Sequence, residues 1–177
     1  ELFKPFLYAR LNKLGLASTI KQAKKSNFVS DIYVTSDDKK VLDIAKKNDV
    51  KVIKRIKSLS DDKTFKMEAI QHATRNISKK KKPTLVVSLQ ANSPDVTYQD
   101  IDKVISHLIK YNRNEVISVD KNYNQNGAIR AMKYNTVFQR ALSVYSGFVV
   151  TNISDIHTKN DFRLWPESNC CPFSCRQ

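Results

Sequence analysis

Three short polar clusters, each closing an apolar run, carry the residue types in this chain that could bind and orient a reactive ligand. Residues 35–38 read Thr-Ser-Asp-Asp, residues 54–55 read Lys-Arg, and residues 90–94 read Gln-Ala-Asn-Ser-Pro. An arginine presents a planar, permanently charged fork that matches phosphate oxygens. Amides and hydroxyls can fix the orientation of a ligand in a pocket. Together the three clusters suit a phosphorylated ligand. Singly, each has a plainer use: Ser36 or Asp37 can cap a helix, Arg55 can sit in solvent, and Gln90 to Pro94 can form a turn.

The elements around these clusters alternate. Residues 31–35 and 50–53 are β-rich, and "TLVVSL" at 84–89 reads as a strand buried on both faces. Between them, residues 36–48 place Val41, Leu42 and Ala45 on one helical face, and residues 61–77 do the same with Met67, Ile70, Thr74 and Ile77. Thr97 with Asp100 forms a capping-box pattern ahead of the stripe Ile101, Val104, Ile105 and Leu108. "EVISV" at 115–119 is a further strand. "NGAIRAM" and "LSVYSGFVVT" suggest two more, with "YNTVFQRA" helical between them. Such alternation predicts a mostly parallel sheet covered by helices. In an open sheet of that kind, ligands bind beyond the carboxyl ends of the strands, where all three clusters fall.

Composition bounds the alternatives. At 177 residues, one α/β domain is the economical reading. Only three glycines are present, Gly15, Gly127 and Gly147, so neither a Walker loop nor a dinucleotide fingerprint can be written. Lys+Arg number 31 against 17 Asp+Glu, a net charge of +14 that would attract polyanions. The lysines come in short runs without interleaved aromatics, which argues for solvated faces over a nucleic-acid platform. His72 and His107 fall within predicted helices and read as packing or surface residues. Cys170, Cys171 and Cys175 lack partners at zinc spacing, and a reduced, cytoplasmic setting is expected.

The segments "IYVTSDD…VLDIAKKNDVKVIKRIKSLSDD", "VVSLQANSPDVTYQDIDKVI" and "DIHTKNDF" resemble the cytidylyltransferases that activate acidic sugars, of the acylneuraminate and 3-deoxy-manno-octulosonate types. The likeness runs from about Ile20 to Phe162. It implies a three-layer α/β/α Rossmann-like nucleotidyltransferase domain over residues 1–165, with an irregular tail at 166–177. It implies transfer of CMP from CTP to the anomeric hydroxyl of an acidic sugar, with release of pyrophosphate, in a homodimer. By the same resemblance Arg55, Asp62, Thr64, Lys66 and Gln90 would hold the nucleotide. Gln90, Asn92, Ser93 and Asn126 would face the sugar, and Asp155 would bind Mg²⁺, with His157 at the position of the second metal ligand.

The departures matter too. The resemblance implies a strand and a basic Gly/Ser loop ahead of the present first residues, and nothing in this chain matches them, so weak or absent catalysis is expected of it. His157 replaces a carboxylate, and imidazole suits softer ions than magnesium. Arg130 replaces an aromatic residue, and the stretch between Val119 and Asn126 is short for a sugar-binding excursion. A nucleotidyltransferase-like domain that binds without turnover is the alternative, and a basic nucleic-acid-binding domain a more remote one.

Overall fold

The computed structural model describes residues 4–60, 64–154 and 156, with side chains from residue 15 onward. Two sheets form. β1 (Tyr33–Ser36) and β2 (Lys51–Lys54) pair in parallel. β3 (Leu85–Leu89), β4 (Glu115–Val119), β5 (Gln125–Lys133) and β6 (Ser146–Val150) form a four-stranded sheet in the order β3-β5-β4-β6. β5 is antiparallel to both β3 and β4, whereas β6 is parallel to β4. Thus β3, β4 and β6 share one direction and β5 alone opposes it. The fold is α/β, and the expectation of a mostly parallel sheet holds for strand sense.

The reversal at β5 comes from a tight turn built without glycine. The Asp120 carboxylate accepts the backbone N–H groups of Asn122 and Asn124 at 2.8 and 2.9 Å. Those bonds, led by the one from Asn124, hold its carboxyl below the usual range. Tyr123 takes a positive φ of 65°. Where the β4–β5 register shifts between Ile117 and Val119, the Ser118 hydroxyl accepts the Ile129 N–H at 2.9 Å, so the irregularity leaves no orphan donor there.

Four helices pack on the sheets. α1 (Lys4–Lys25), an element that sequence analysis does not assign, runs alongside α4 (Tyr98–Lys110) in the same sense. Its Ser18 hydroxyl donates to Pro94 O, its Gln22 side chain accepts the Tyr98 N–H, and Ser26 donates to Asp102. β1 follows α1 and β3 precedes α4, so the two strands point the same way. α1 also ties the sheets into one body. Leu16 and Ile20 pack with Val34 and Ala45 over the small sheet, while Ala23 joins the core of the large one.

α4 is amphipathic as its sequence dictates. Ile101, Val104, Ile105 and Leu108 are buried against Val116, Ile129, Ala131 and Val149. Burying each such side chain contributes roughly 1.5–3 kcal/mol. The predicted capping box is formed: Thr97 accepts from the Asp100 N–H, and the Asp100 carboxylate accepts from the Thr97 N–H at 3.2 Å. α2 (Lys39–Lys47) starts on Asp38, whose carboxylate accepts the Lys40 N–H at 2.8 Å. α3 (Lys66–Ser78) turns the predicted Thr74 inward together with Ala69. The predicted helix at "YNTVFQRA" is a short 3-10 turn over Tyr134–Phe138.

Two helix ends share a device. At α2, the Asp49 N–H reaches Lys46 O and the Val50 N–H reaches Ala45 O. At α4, the Asn112 N–H reaches Ile109 O and the Arg113 N–H reaches Leu108 O. Asp49 and Asn112 sit at φ 52° and 49°, so both ends are Schellman motifs with an Asx residue where glycine is usual.

One expectation is corrected. The strand at 84–89 is not buried on both faces: every residue of β3 is half-buried, unlike β4, which is buried throughout. The cause is lateral. Among the described strands β3 pairs only with β5 and β1 only with β2, so each has one edge without a described partner.

Candidate functional site

The predicted clusters lie at the carboxyl ends of β1, β2 and β3, which all run in one sense. Because β5 is antiparallel, its amino end comes to the same edge of the molecule. The loop after β3 is the best determined part. Gln90 N–H donates to Ala128 O at 3.1 Å, which carries the β3–β5 ladder one residue past the strand. The Gln90 carboxamide then turns back and donates to Gly127 O, and the Lys66 ammonium donates to the same carbonyl at 3.1 Å.

Gly127 is required at this junction. Its φ is +66°, and a Cβ there would sit 2.2 Å from Gln90 Nε2. An amide from β3, a cation from the first turn of α3 and the start of β5 therefore meet at one point, although 61 positions separate Lys66 from Gly127. Sequence analysis proposed Gln90 and Lys66 but missed Gly127. The available signal was its rarity: one of only three glycines in the chain stands at the start of a strand.

The bend beyond Gln90 is pinned from three sides. Ser18 of α1 holds Pro94 O at 3.2 Å. Asn92 O accepts the Ile156 N–H at 3.1 Å, and both Asp95 carboxylate oxygens accept the Ser154 N–H. Ser93 is fully buried, and its hydroxyl has no hydrogen-bond partner among the described residues. A buried hydroxyl left unmatched is costly, so this position is one where a ligand group or a water would be stabilised.

Arg55 forms a second cluster at the end of β2. Its N–H donates to Ser36 O at 2.9 Å, extending the β1–β2 ladder, and its guanidinium lies 3.6 Å from Asp37. Its side chain is 25% exposed, and Nε is buried with no partner among the described residues. The Thr35 hydroxyl is likewise buried and unmatched. The Ser36 hydroxyl accepts the Asp38 N–H at 3.1 Å, and the residue that caps α2 is Asp38, not Ser36 or Asp37 as expected.

The remaining predicted residues divide. The Thr64 hydroxyl donates to Ser58 O at 3.3 Å, ahead of α3. The Asn126 amide is committed inside the fold: its oxygen accepts from Ser118 at 2.6 Å and from the Ala128 N–H at 3.2 Å, and its nitrogen donates to Thr151 at 3.0 Å. It ties together the ends of β4, β5 and the chain after β6. Asp62, Asp155 and His157 lie outside the described residues, though the backbone on both sides of position 155 is anchored to the bend at residues 92–95. Among the described residues no group of three His, Cys, Asp or Glu side chains could hold a metal ion. No described helix is long and apolar enough to cross a membrane.

Comparison with known proteins bears on the fold and the family. A 25-residue stretch is 72% identical to the DNA-directed RNA polymerase subunit beta' of Leptothrix cholodnii. It spans 14% of this chain and 2% of that protein, too little to bear on function. The fold is similar to CMP:2-keto-3-deoxy-manno-octonic acid synthetase complexed with CTP, at TM-score 0.63 and 10% identity, with 85% of each chain covered. It is similar to a cytidylyltransferase from Leptospira borgpetersenii serovar Hardjo-bovis, at TM-score 0.61 and 13% identity, over 84% of this chain and 72% of that one. It is also similar to 4-diphosphocytidyl-2C-methyl-D-erythritol synthase from Anaerococcus prevotii, at TM-score 0.60 and 14% identity, over 85% and 83%. At such identities these likenesses establish the nucleotidyltransferase fold. The sequence profile of the cytidylyltransferases matches residues 13–149, well over half of the chain, and on that match the chain belongs to the cytidylyltransferase family.

Proposed function

We propose that this edge of the molecule transfers a cytidylyl group from CTP to the anomeric hydroxyl of an acidic sugar and releases pyrophosphate. The observation that carries the reading is the meeting of Gln90 and Lys66 on Gly127, beside the pinned bend at residues 92–95. In-line attack on an α-phosphorus needs alignment and charge neutralisation more than covalent chemistry. Lys66 and Arg55 would supply positive charge to the triphosphate. The amides of Gln90 and Asn92 and the unmatched hydroxyl of Ser93 would orient uncharged hydroxyl and base groups. Asp155 would offer Mg²⁺ a hard oxygen ligand, whereas the imidazole of His157 at the second position suits it less; the ion, when bound, would supply charge neutralisation at the α-phosphate.

Pyrophosphate release from CTP with a panel of sugar acids tests the reading. Activity lowered at least about tenfold by Gln90→Ala and by Arg55→Met is expected. Full activity in both variants would remove it.

A second reading, binding without turnover, is favoured by His157, an imidazole at a position where a carboxylate would suit Mg²⁺ better. Under this reading CTP raises the melting temperature of the chain without releasing pyrophosphate. A homodimer also fits the half-exposed Phe148 and Val150 on β6, and sedimentation of the wild type against Phe148→Ser tests it.

A further inference from the structure

At the opposite end of the large sheet lies a groove that the proposed transferase reaction does not use. It opens at the amino ends of β3 and β4 and the carboxyl end of β5, roughly 17 Å along β3 from Gln90 at strand rise. Its volume is about 820 Å³, within the range of small-ligand sites. We propose that it binds single-stranded nucleic acid.

Four features point there. The floor is apolar, formed by Pro83, Leu85 and Leu108. The walls carry amides from Asn112, Asn135 and Gln139, and no carboxylate of the described residues lines the groove. Amides offer donor and acceptor together, as base edges require. The lip is cationic. The Lys133 ammonium is fixed on Asn112 Oδ1 at 2.7 Å, and the Schellman turn at the end of α4 sets that oxygen in place. Lys82 follows Lys79, Lys80 and Lys81, all exposed, so a line of charge leads from solvent into the concavity.

The fourth feature is aromatic. The Lys82 ammonium rests 4.5 Å from the Tyr134 ring centroid, and Phe138 meets that ring edge-on at 5.3 Å. The cation–π contact at this exposed lysine is weak and exchangeable. A base can take the ring face while Lys82 moves to the adjoining phosphate, the pairing of stacking and charge that single strands need. The lysine run and the aromatics are 52 positions apart, so the interleaving absent from the sequence is made by the fold. A free nucleotide would fill the groove but leave Lys79 to Lys81 without phosphates. A flat lipid surface would not reach the recessed Tyr134.

Fluorescence anisotropy of a labelled 12-nucleotide thymidine oligomer, over a salt series, tests the proposal. The affinity is expected to fall as salt rises, with a log–log slope of about −0.7 for each phosphate neutralised. Reversing Lys80, Lys81 and Lys82 to Glu should weaken binding at least about tenfold and flatten the slope. Tyr134→Leu should weaken it about tenfold with the slope unchanged, a signature of lost stacking. Asn135→Asp, an exposed change that leaves the core alone, should weaken it comparably if Tyr134→Leu disturbs folding. Excess CTP should not displace the oligomer. Wild-type affinity in the lysine-reversed variant or in Asn135→Asp, or in a folded Tyr134→Leu, would overturn the proposal. So would displacement by CTP, equal affinity for a duplex of the same length, or preferential lysine-dependent binding to anionic phosphatidylserine vesicles.

Discussion

The two sheets of this protein are built to different standards. In the four-stranded sheet β4 is buried along its whole length, and β5 buries Ala128, Ile129, Ala131 and Met132 completely. In the two-stranded sheet β2 is exposed at both ends and half-buried between them, with α1 and α2 as its cover. The large sheet concentrates the stability. The small one carries Arg55 and the Ser-Asp-Asp turn on a lighter frame. Local stability of this uneven kind places groups that must meet a ligand on the part that can yield.

The sharpest way to break this contrast is at Glu115. This carboxylate is fully buried and accepts from Arg130 at 2.6 and 3.1 Å, from Ser146 at 3.2 Å, and from the Ser143 N–H. It joins β4 to β5 and to the approach of β6. Glu115→Ala strands the half-buried Arg130 and is expected to cost about 3–5 kcal/mol, read from urea unfolding. Next comes a matched pair. Leu108→Ala, in the tight core beneath α4, should cost about 4 kcal/mol, and Ile20→Ala, in the cluster over the small sheet, about 2 kcal/mol. Equal losses would erase the distinction between the two halves.

Smaller effects follow at the helix starts. Thr97→Ala removes a reciprocal capping box and should cost about 1–2 kcal/mol, whereas Asp38→Ala loses a single cap bond and should cost about 1 kcal/mol. Smallest of all is the exposed Lys51–Asp31 pair beside the small sheet. The hydrogen bond from Lys51, then its charge, holds the Asp31 carboxyl below its usual range. Its stabilisation is present above the unfolded-state value and is lost as pH falls through the lower folded value. Solvent screens the pair, so Asp31→Asn should leave a thermal melt at neutral pH and physiological salt unchanged within error.

Legibility in the sequence followed the same divide. Where a segment satisfies itself, its residues announce it. The capping box at Thr97 and the stripe of α4 were readable because both ends of each interaction lie within one or two turns. α1 was not, since its apolar residues serve two different cores: Leu16 and Ile20 one, Ala23 the other. The reversal of β5 depends on Asp120 gathering N–H groups from a glycine-free turn, and Asp-Lys-Asn-Tyr-Asn does not spell a standard hairpin. At the candidate site the residue types could be read from the strand ends. The joining of Lys66, Gln90 and Gly127 could not, because the ladder between β3 and β5 sets it and strand order is not a local property.

Gly15 shows how closely the edge is fitted. A Cβ at this position in α1 would come 2.2 Å from Ala91 O, in the bend that follows Gln90. Helix backbone and bend therefore touch with no side chain between them, although glycine within a helix costs about 1 kcal/mol relative to alanine. Even a methyl group there acts as a wedge: it would tilt α1 away or push the bend along the sheet edge, shifting residues 91–95 while leaving every polar group intact.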